Sequence, residues 1–159
     1  MPARSGKDHH KHGTGLFTYR RGKAQKRVGG QRQHESDFYD YLRPKLEWPW
    51  IERIENKVNN GTPDIYFRAR ATSGWIELKY DNNPRPSSRL GLRKEQVVWH
   101  WGFHKAGGLS WIILGTPGQC SVWMGKDVMA LKRGRFGEIM DLAIFRGQKS
   151  ELVEWLRRF

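Results

Sequence analysis

The sequence predicts a single α/β domain, a mixed β-sheet flanked by helices, preceded by a flexible basic arm. Three observations predict it. Two windows carry apolar residues at helical spacing, and between and after them lie short runs that alternate like strands. The elements follow one another as α-β-β-β-α-β-β, an order that points to a mixed sheet with helices packed on it. At 159 residues, 37 % of them aliphatic or aromatic, the chain has room for one hydrophobic core.

Residues 1–30 read as the arm. They hold six glycines and eight bases against the single acid Asp8, a net +7 out of the total +13. So few aliphatic groups cannot offset the entropy of ordering, although Leu16, Phe17 and Tyr19 offer a local docking point. His9, His10 and His12 form a short histidine tract, read either as metal-binding or as incidental histidines in a basic tail. The first helix is expected over 31–46, where Phe38, Tyr39, Leu42 and Leu46 share one stripe, with Pro44 marking its end. Residues 50–54 alternate like a strand, and Asn59-Asn-Gly-Thr-Pro63 is turn chemistry. Residues 64–68 and 75–80 read as a hairpin joined through Thr72, Ser73 and Gly74. After a polar loop over 81–91, a second helix is expected over 92–106, stopped by Gly107 and Gly108. Strands over 109–114 and 119–124 flank the turn Gly115-Thr-Pro-Gly118, a strand or short helix falls near 139–145, and a helix over 150–158 closes the chain.

Composition narrows the function. The net charge is +13 and the isoelectric point near 10.2, a field that attracts polyanions, of which nucleic acid is the abundant intracellular one. The longest apolar runs, such as 111–114, fall far short of the ~20 residues of a membrane-spanning helix. There is no apolar signal-peptide core at the N-terminus, and the single Cys120 excludes an internal disulfide. The expectation is an intracellular protein that does not engage a membrane.

The chemistry concentrates in Thr62-Pro63-Asp64, a twelve-residue gap, and Glu77-Leu78-Lys79. Residues two apart on a strand share a face, so Glu77 and Lys79 project together while Ile76 and Leu78 enter the other side. Pairing the two strands brings Asp64 near Glu77 at one end of the sheet. Two carboxylates and an ammonium then form a cradle for a hard divalent cation. An ordinary Glu/Lys pair on a solvated strand is the plain alternative. Two further positions bear on the choice. Glu35 lies within the stripe of Phe38, Tyr39, Leu42 and Leu46, where a carboxylate needs a cation partner unless it reaches solvent ahead of the buried part. Gln96 shares a stripe with Leu92, Trp99, His100 and Phe103, as a ligand-facing amide or a satisfied core glutamine.

Glu35 on the first helix, Gly61-Thr-Pro-Asp-Ile65, Trp75-Ile-Glu-Leu-Lys79 and Gln96-Val-Val-Trp99 on the second helix together resemble the stand-alone VRR-Nuc group of the PD-(D/E)xK nuclease superfamily, found in phages and bacteria. The likeness runs from about residue 30 to 114, and the Val-Arg-Arg triplet that names the group is absent. The resemblance implies a restriction-endonuclease-like fold over 31–159. It implies a Mg²⁺- or Mn²⁺-dependent endodeoxyribonuclease, with no small-molecule cofactor, in the cytoplasm of a bacterium or phage-infected host. Asp64, Glu77 and the backbone carbonyl of Leu78 would hold the metal, Glu35 would bind it directly or through water, Lys79 would serve the attacking water, and Gln96 would complete the site. The group's relatives are homodimers acting on branched DNA such as Holliday junctions. Within the class, a non-selective nicking or degradative nuclease is the alternative. Outside it stand a non-catalytic DNA-binding or packaging accessory protein and an RNA substrate.

For the DNA backbone, Arg20, Arg21, Lys23, Lys26 and Arg27 of the arm and Arg89, Arg93 and Lys94 beside the second helix are the expected contacts. Lys132, Arg133 and Arg135 are a possible extension of that surface or a solvated loop. His100 and His104 have a spacing that can hold zinc, against packing or phosphate contact as the simpler reading. The eight tryptophans divide between core positions and base-stacking platforms.

Overall fold

A computed structural model of the chain describes residues 28–54 and 61–159. The arm expected over 1–30 lies outside the described residues apart from its last three, which belong to the first helix, α1 (Val28–Leu46). Phe38, Tyr39, Leu42 and Leu46 are buried along α1, as its periodicity predicts. Pro44 falls in the last turn, and α1 ends at Leu46, the expected bound, where Glu47 turns left-handed at φ 53° and breaks the repeat.

Six strands form one sheet in sequence order: β1 (Trp50–Arg53), β2 (Ile65–Arg68), β3 (Ser73–Tyr80), β4 (Ser110–Gly115), β5 (Cys120–Met124) and β6 (Phe145–Gly147). All neighbours are antiparallel except β3 and β4, which the helix α2 (Lys94–Lys105) connects as a parallel pair. The β2–β3 turn is tighter than expected. Ala69 N–H donates to Thr72 O at 2.8 Å, and Ser73 and Gly74 lie within β3. At the end of α2, Gly107 at φ 82° and the Gly108 N–H bonded to Phe103 O form the expected glycine stop.

Between β5 and β6 the chain forms two short helices, α3 (Val128–Arg133) and α4 (Phe136–Ile139), each flanked by a single 3-10 turn. The α5 helix (Lys149–Leu156) closes the domain. Helices of four and six residues complete less than two turns, so their periodicity is invisible in sequence. Their Val128, Leu131, Phe136 and Ile139 are nonetheless buried.

The sheet has a core on each face. Ile65, Phe67, Ile76, Leu78, Trp111 and Ile113 pack toward α1 and α5. Ile112, Leu114 and Trp123 pack with Val97 of α2 and with α3 and α4. Register puts Glu77 beside Ile112 and Lys79 beside Leu114, hence on the α2 face. Among the described residues no helix is long and apolar enough to cross a membrane.

Candidate active site

The β2–β3 register pairs Ile65 with Ile76, and extending it by one step sets Asp64 opposite Glu77. Strand β2 begins only at Ile65, so the second half of β3 has no backbone partner from β2 at this point. Instead, Asp64 Oδ2 accepts the Leu78 N–H at 2.9 Å, a carboxylate standing where the next strand carbonyl would stand. The chain thereby diverges from β3 at the place where the polar side chains gather. Upstream, Gly61 presses against α2: a Cβ there would lie 2.7 Å from the Glu95 carbonyl oxygen.

Glu77 is fully buried. Its Oε1 receives Lys79 Nζ at 2.5 Å and the Gln96 side-chain amide. Its Oε2 is buried with no hydrogen-bond partner. Burial pushes the Glu77 carboxyl up to about 7, the neighbouring Asp64 charge adds to the rise, and Lys79 opposes it. Burial pulls Lys79 downward, but the charges of Glu77, Asp64 and Glu35 and the Glu77 hydrogen bond outweigh it, so the ammonium is held above its usual range. Glu35, half-buried on α1, titrates above the usual carboxylate range, chiefly through burial. Lys79 opposes that rise, Asp64 adds to it, and a hydrogen bond from the Tyr80 backbone lowers it.

Gln96 is buried, and its oxygen accepts the Arg93 N–H at 2.9 Å while its nitrogen serves Glu77. The structure therefore brings Glu35, Asp64, Glu77, Lys79 and Gln96 into one electrostatic neighbourhood from α1, β3, α2 and the segment entering β2. The group gathers where β2 begins, along the C-terminal half of β3, which is an interior strand of the sheet.

The donor set bears on the metal question. Among the described residues, no three His, Cys, Asp or Glu side chains are grouped as a cage. Mg²⁺ does not require one, since it is held by one or two carboxylates with waters and substrate phosphate completing its shell. A buried carboxylate with a free oxygen, Glu77, beside a second carboxylate, Asp64, fits that demand.

Of the proposed DNA contacts, Arg89, Arg93 and Lys94 are exposed around the start of α2, and the charge of Arg93 reaches Glu77. Arg20, Arg21, Lys23, Lys26 and Arg27 lie outside the described residues. Lys132 has a role that its charge does not reveal: its ammonium donates to the Leu92 carbonyl and holds the entry to α2, while Arg133 and Arg135 are exposed.

His100 and His104 do not converge. His100 is buried, its Nδ1 2.9 Å from Ser110 Oγ and its pKa pushed down to about 4 by burial, whereas His104 is exposed. Trp111 and Trp123 are core residues, while Trp50 and Trp101 stand out at 55 % and 43 % exposure. Charge patterning also left out Arg85, which lines a cleft beside Lys79 together with Arg89. The only sequence signal for it is an arginine between Pro84 and Pro86. Compared with known proteins, the chain matches no family model and no curated protein.

Proposed function

We propose that this chain is a metal-dependent DNA endonuclease of the PD-(D/E)xK type with a restriction-endonuclease-like fold. The observation that carries the reading is the Asp64–Glu77–Lys79 group: a buried carboxylate with one unpartnered oxygen, a second carboxylate across the register, and an ammonium 2.5 Å from the first. Burying two carboxylates side by side is costly, and a bound cation would offset part of that cost. Asp64 and Glu77, with the Leu78 carbonyl and Glu35, would hold Mg²⁺ or Mn²⁺. When bound, the cation supplies Lewis acidity toward the phosphate.

The chain's own residues divide the remaining work. The reaction adds the oxygen of water to phosphorus, breaks one P–O bond to a sugar, and returns the water's proton to the departing alkoxide. Lys79, beside the carboxylates of Glu77, Asp64 and Glu35, acts as a donor that steadies negative charge on the phosphate and orients the water. Gln96 fixes the rotamer of Glu77 from α2. Arg89, Arg93, Lys94 and the basic N-terminal segment supply sequence-independent affinity for the phosphate backbone. The substrate is branched DNA of the Holliday-junction kind, cut by a homodimer that sets two sites on one junction.

The decisive experiment offers linear duplex, single strand, flap and four-way junction with Mg²⁺ and with Mn²⁺. Cutting that is fastest on the junction and abolished in Asp64→Ala and Glu77→Ala is the expected result. Equal rates on all four would leave a non-selective nuclease. The alternative reading is a DNA-binding accessory protein without catalysis. Tight binding without cleavage under every metal would establish it.

A further inference from the structure

Beside Lys79 a cleft of about 690 Å³ opens between α1 and the loop over residues 81–93, within the usual size range of ligand sites. Its walls include Lys79 and Tyr80 of β3, His34 of α1, and Arg85 and Arg89 of the loop. The two arginines are exposed, and among the described residues no carboxylate lies within ion-pair distance of either. One acid, Asp81, shares the cleft, but its Oδ1 is engaged by the Asn83 N–H at 2.9 Å.

The loop is not a loose flap. Phe136 N–H donates to Ser88 O at 2.8 Å, Gly137 N–H to Pro86 O at 3.1 Å, and Leu90 and Leu92 are buried in the second core. The arginines are thus carried on an anchored backbone, which lowers the ordering cost of gripping a ligand. From α1 the His34 ring stacks on Tyr80 with centroids 5.5 Å apart and planes 26° apart, its Nδ1 4.0 Å from Asp37 Oδ2, while its side chain keeps 42 % exposure.

We propose that this cleft seats one unpaired nucleic-acid strand alongside the candidate cutting site. Arg85 and Arg89 contact its phosphates, and His34, backed by Tyr80, stacks on a base. The reasoning rests on the nuclease reading for the direction of the strand toward Lys79, and on the cleft alone for its binding. Two guanidiniums on a fixed loop, with no ion pair among the described residues, match the charge of successive phosphates. An exposed ring lining the same cleft suits a base whose own face is free, whereas bases inside a duplex have both faces covered. The cleft accordingly selects for unpaired nucleotides next to the cut, as found at forks, flaps and opened junctions.

The test measures binding in chelator, without cutting. Fluorescence anisotropy follows a labelled mixed-sequence DNA strand, alone and annealed to its complement. The Arg85→Ala/Arg89→Ala double variant is expected to bind the single strand about tenfold or more weakly, with a salt slope smaller by roughly 1.4. His34→Ala should weaken single-strand binding about fivefold while leaving duplex binding within about twofold, and His34→Phe should restore it. Thermal unfolding matched to the parent confirms that the variants are folded. Wild-type affinity for the single strand in both alanine variants overturns the proposal, as does an equal loss on strand and duplex after His34→Ala. Loss of binding in a protein that cuts nothing would sink the nuclease reading and keep the cleft. Cutting with variant affinities unchanged would do the reverse.

Discussion

The Gln96 side chain ties the first turn of α2 to Glu77, accepting the Arg93 N–H at 2.9 Å and donating to Glu77 Oε1. One amide thus closes a helix N-terminus and orients a buried carboxylate. Gln96→Leu keeps the volume and removes both bonds. It is expected to cost about 1–3 kcal/mol in denaturant unfolding, as buried groups lose their partners. It should also lower kcat about tenfold or more with little change in KM, as for residues that position a metal-site ligand. A fall in KM-determined affinity alone would assign Gln96 to substrate instead.

Lys79→Ala removes the ammonium held by Glu77, Asp64 and Glu35. Turnover should fall about 100-fold or more, since a charge placed against the transition state is lost. DNA affinity in chelator should change by less than about threefold, because one phosphate contact among many is worth little. Equal loss of binding and turnover would contradict a role in chemistry.

Glu77 titrates near 7 against 4.5 when unfolded. The folded state therefore binds the extra proton, so this stabilising contribution is complete below pH 4.5 and disappears as pH rises through 7. The stability of Glu77→Gln relative to the parent is expected to increase across that window. Cation binding runs the other way, since a ligating carboxylate must be deprotonated. Calorimetric affinity for Mn²⁺ should climb with pH up to about 7 and then level off. A flat affinity from pH 5 to 8 would remove Glu77 from the ligand set.

His100 has the opposite sign. Its folded pKa of about 4 lies below the ordinary 6.5, so its contribution is present above 6.5 and is lost as pH falls through 4. Protonating this buried ring costs on the order of 3 kcal/mol. Unfolding free energies of His100→Gln should therefore fall less steeply with acid than those of the parent. Parallel curves would mean that the ring is already charged or solvated.

Gly61→Ala drives a methyl to within 2.7 Å of the Glu95 carbonyl. Backbone on both sides must shift, and overpacking of this kind costs about 1–3 kcal/mol. Because the same segment carries Asp64, cation affinity should drop along with melting temperature. A neutral outcome in both would show that the segment accommodates the side chain freely.

Much of this arrangement was legible in local pattern. Alternation along β3 put Glu77 and Lys79 on one face and Ile76 and Leu78 on the other, and the apolar stripe of α1 carried Glu35 toward the sheet. Gln96 announced itself as an amide among apolar neighbours. What patterning missed has a common cause. Helices α3 and α4 are too short for a period to register, Lys132 binds a carbonyl forty positions away, and Arg85 gains its meaning only from the cleft it lines.

By itself the sequence determined which side chains share a face, because that depends on neighbours two to four residues away. Tertiary structure alone decided that Glu77 is buried in an interior strand, that Asp64 caps the Leu78 N–H, that Lys79 stays charged, and that His100 parts from His104. Those outcomes depend on desolvation and on charges distant in the chain, which come together only when the sheet and its helices close around them.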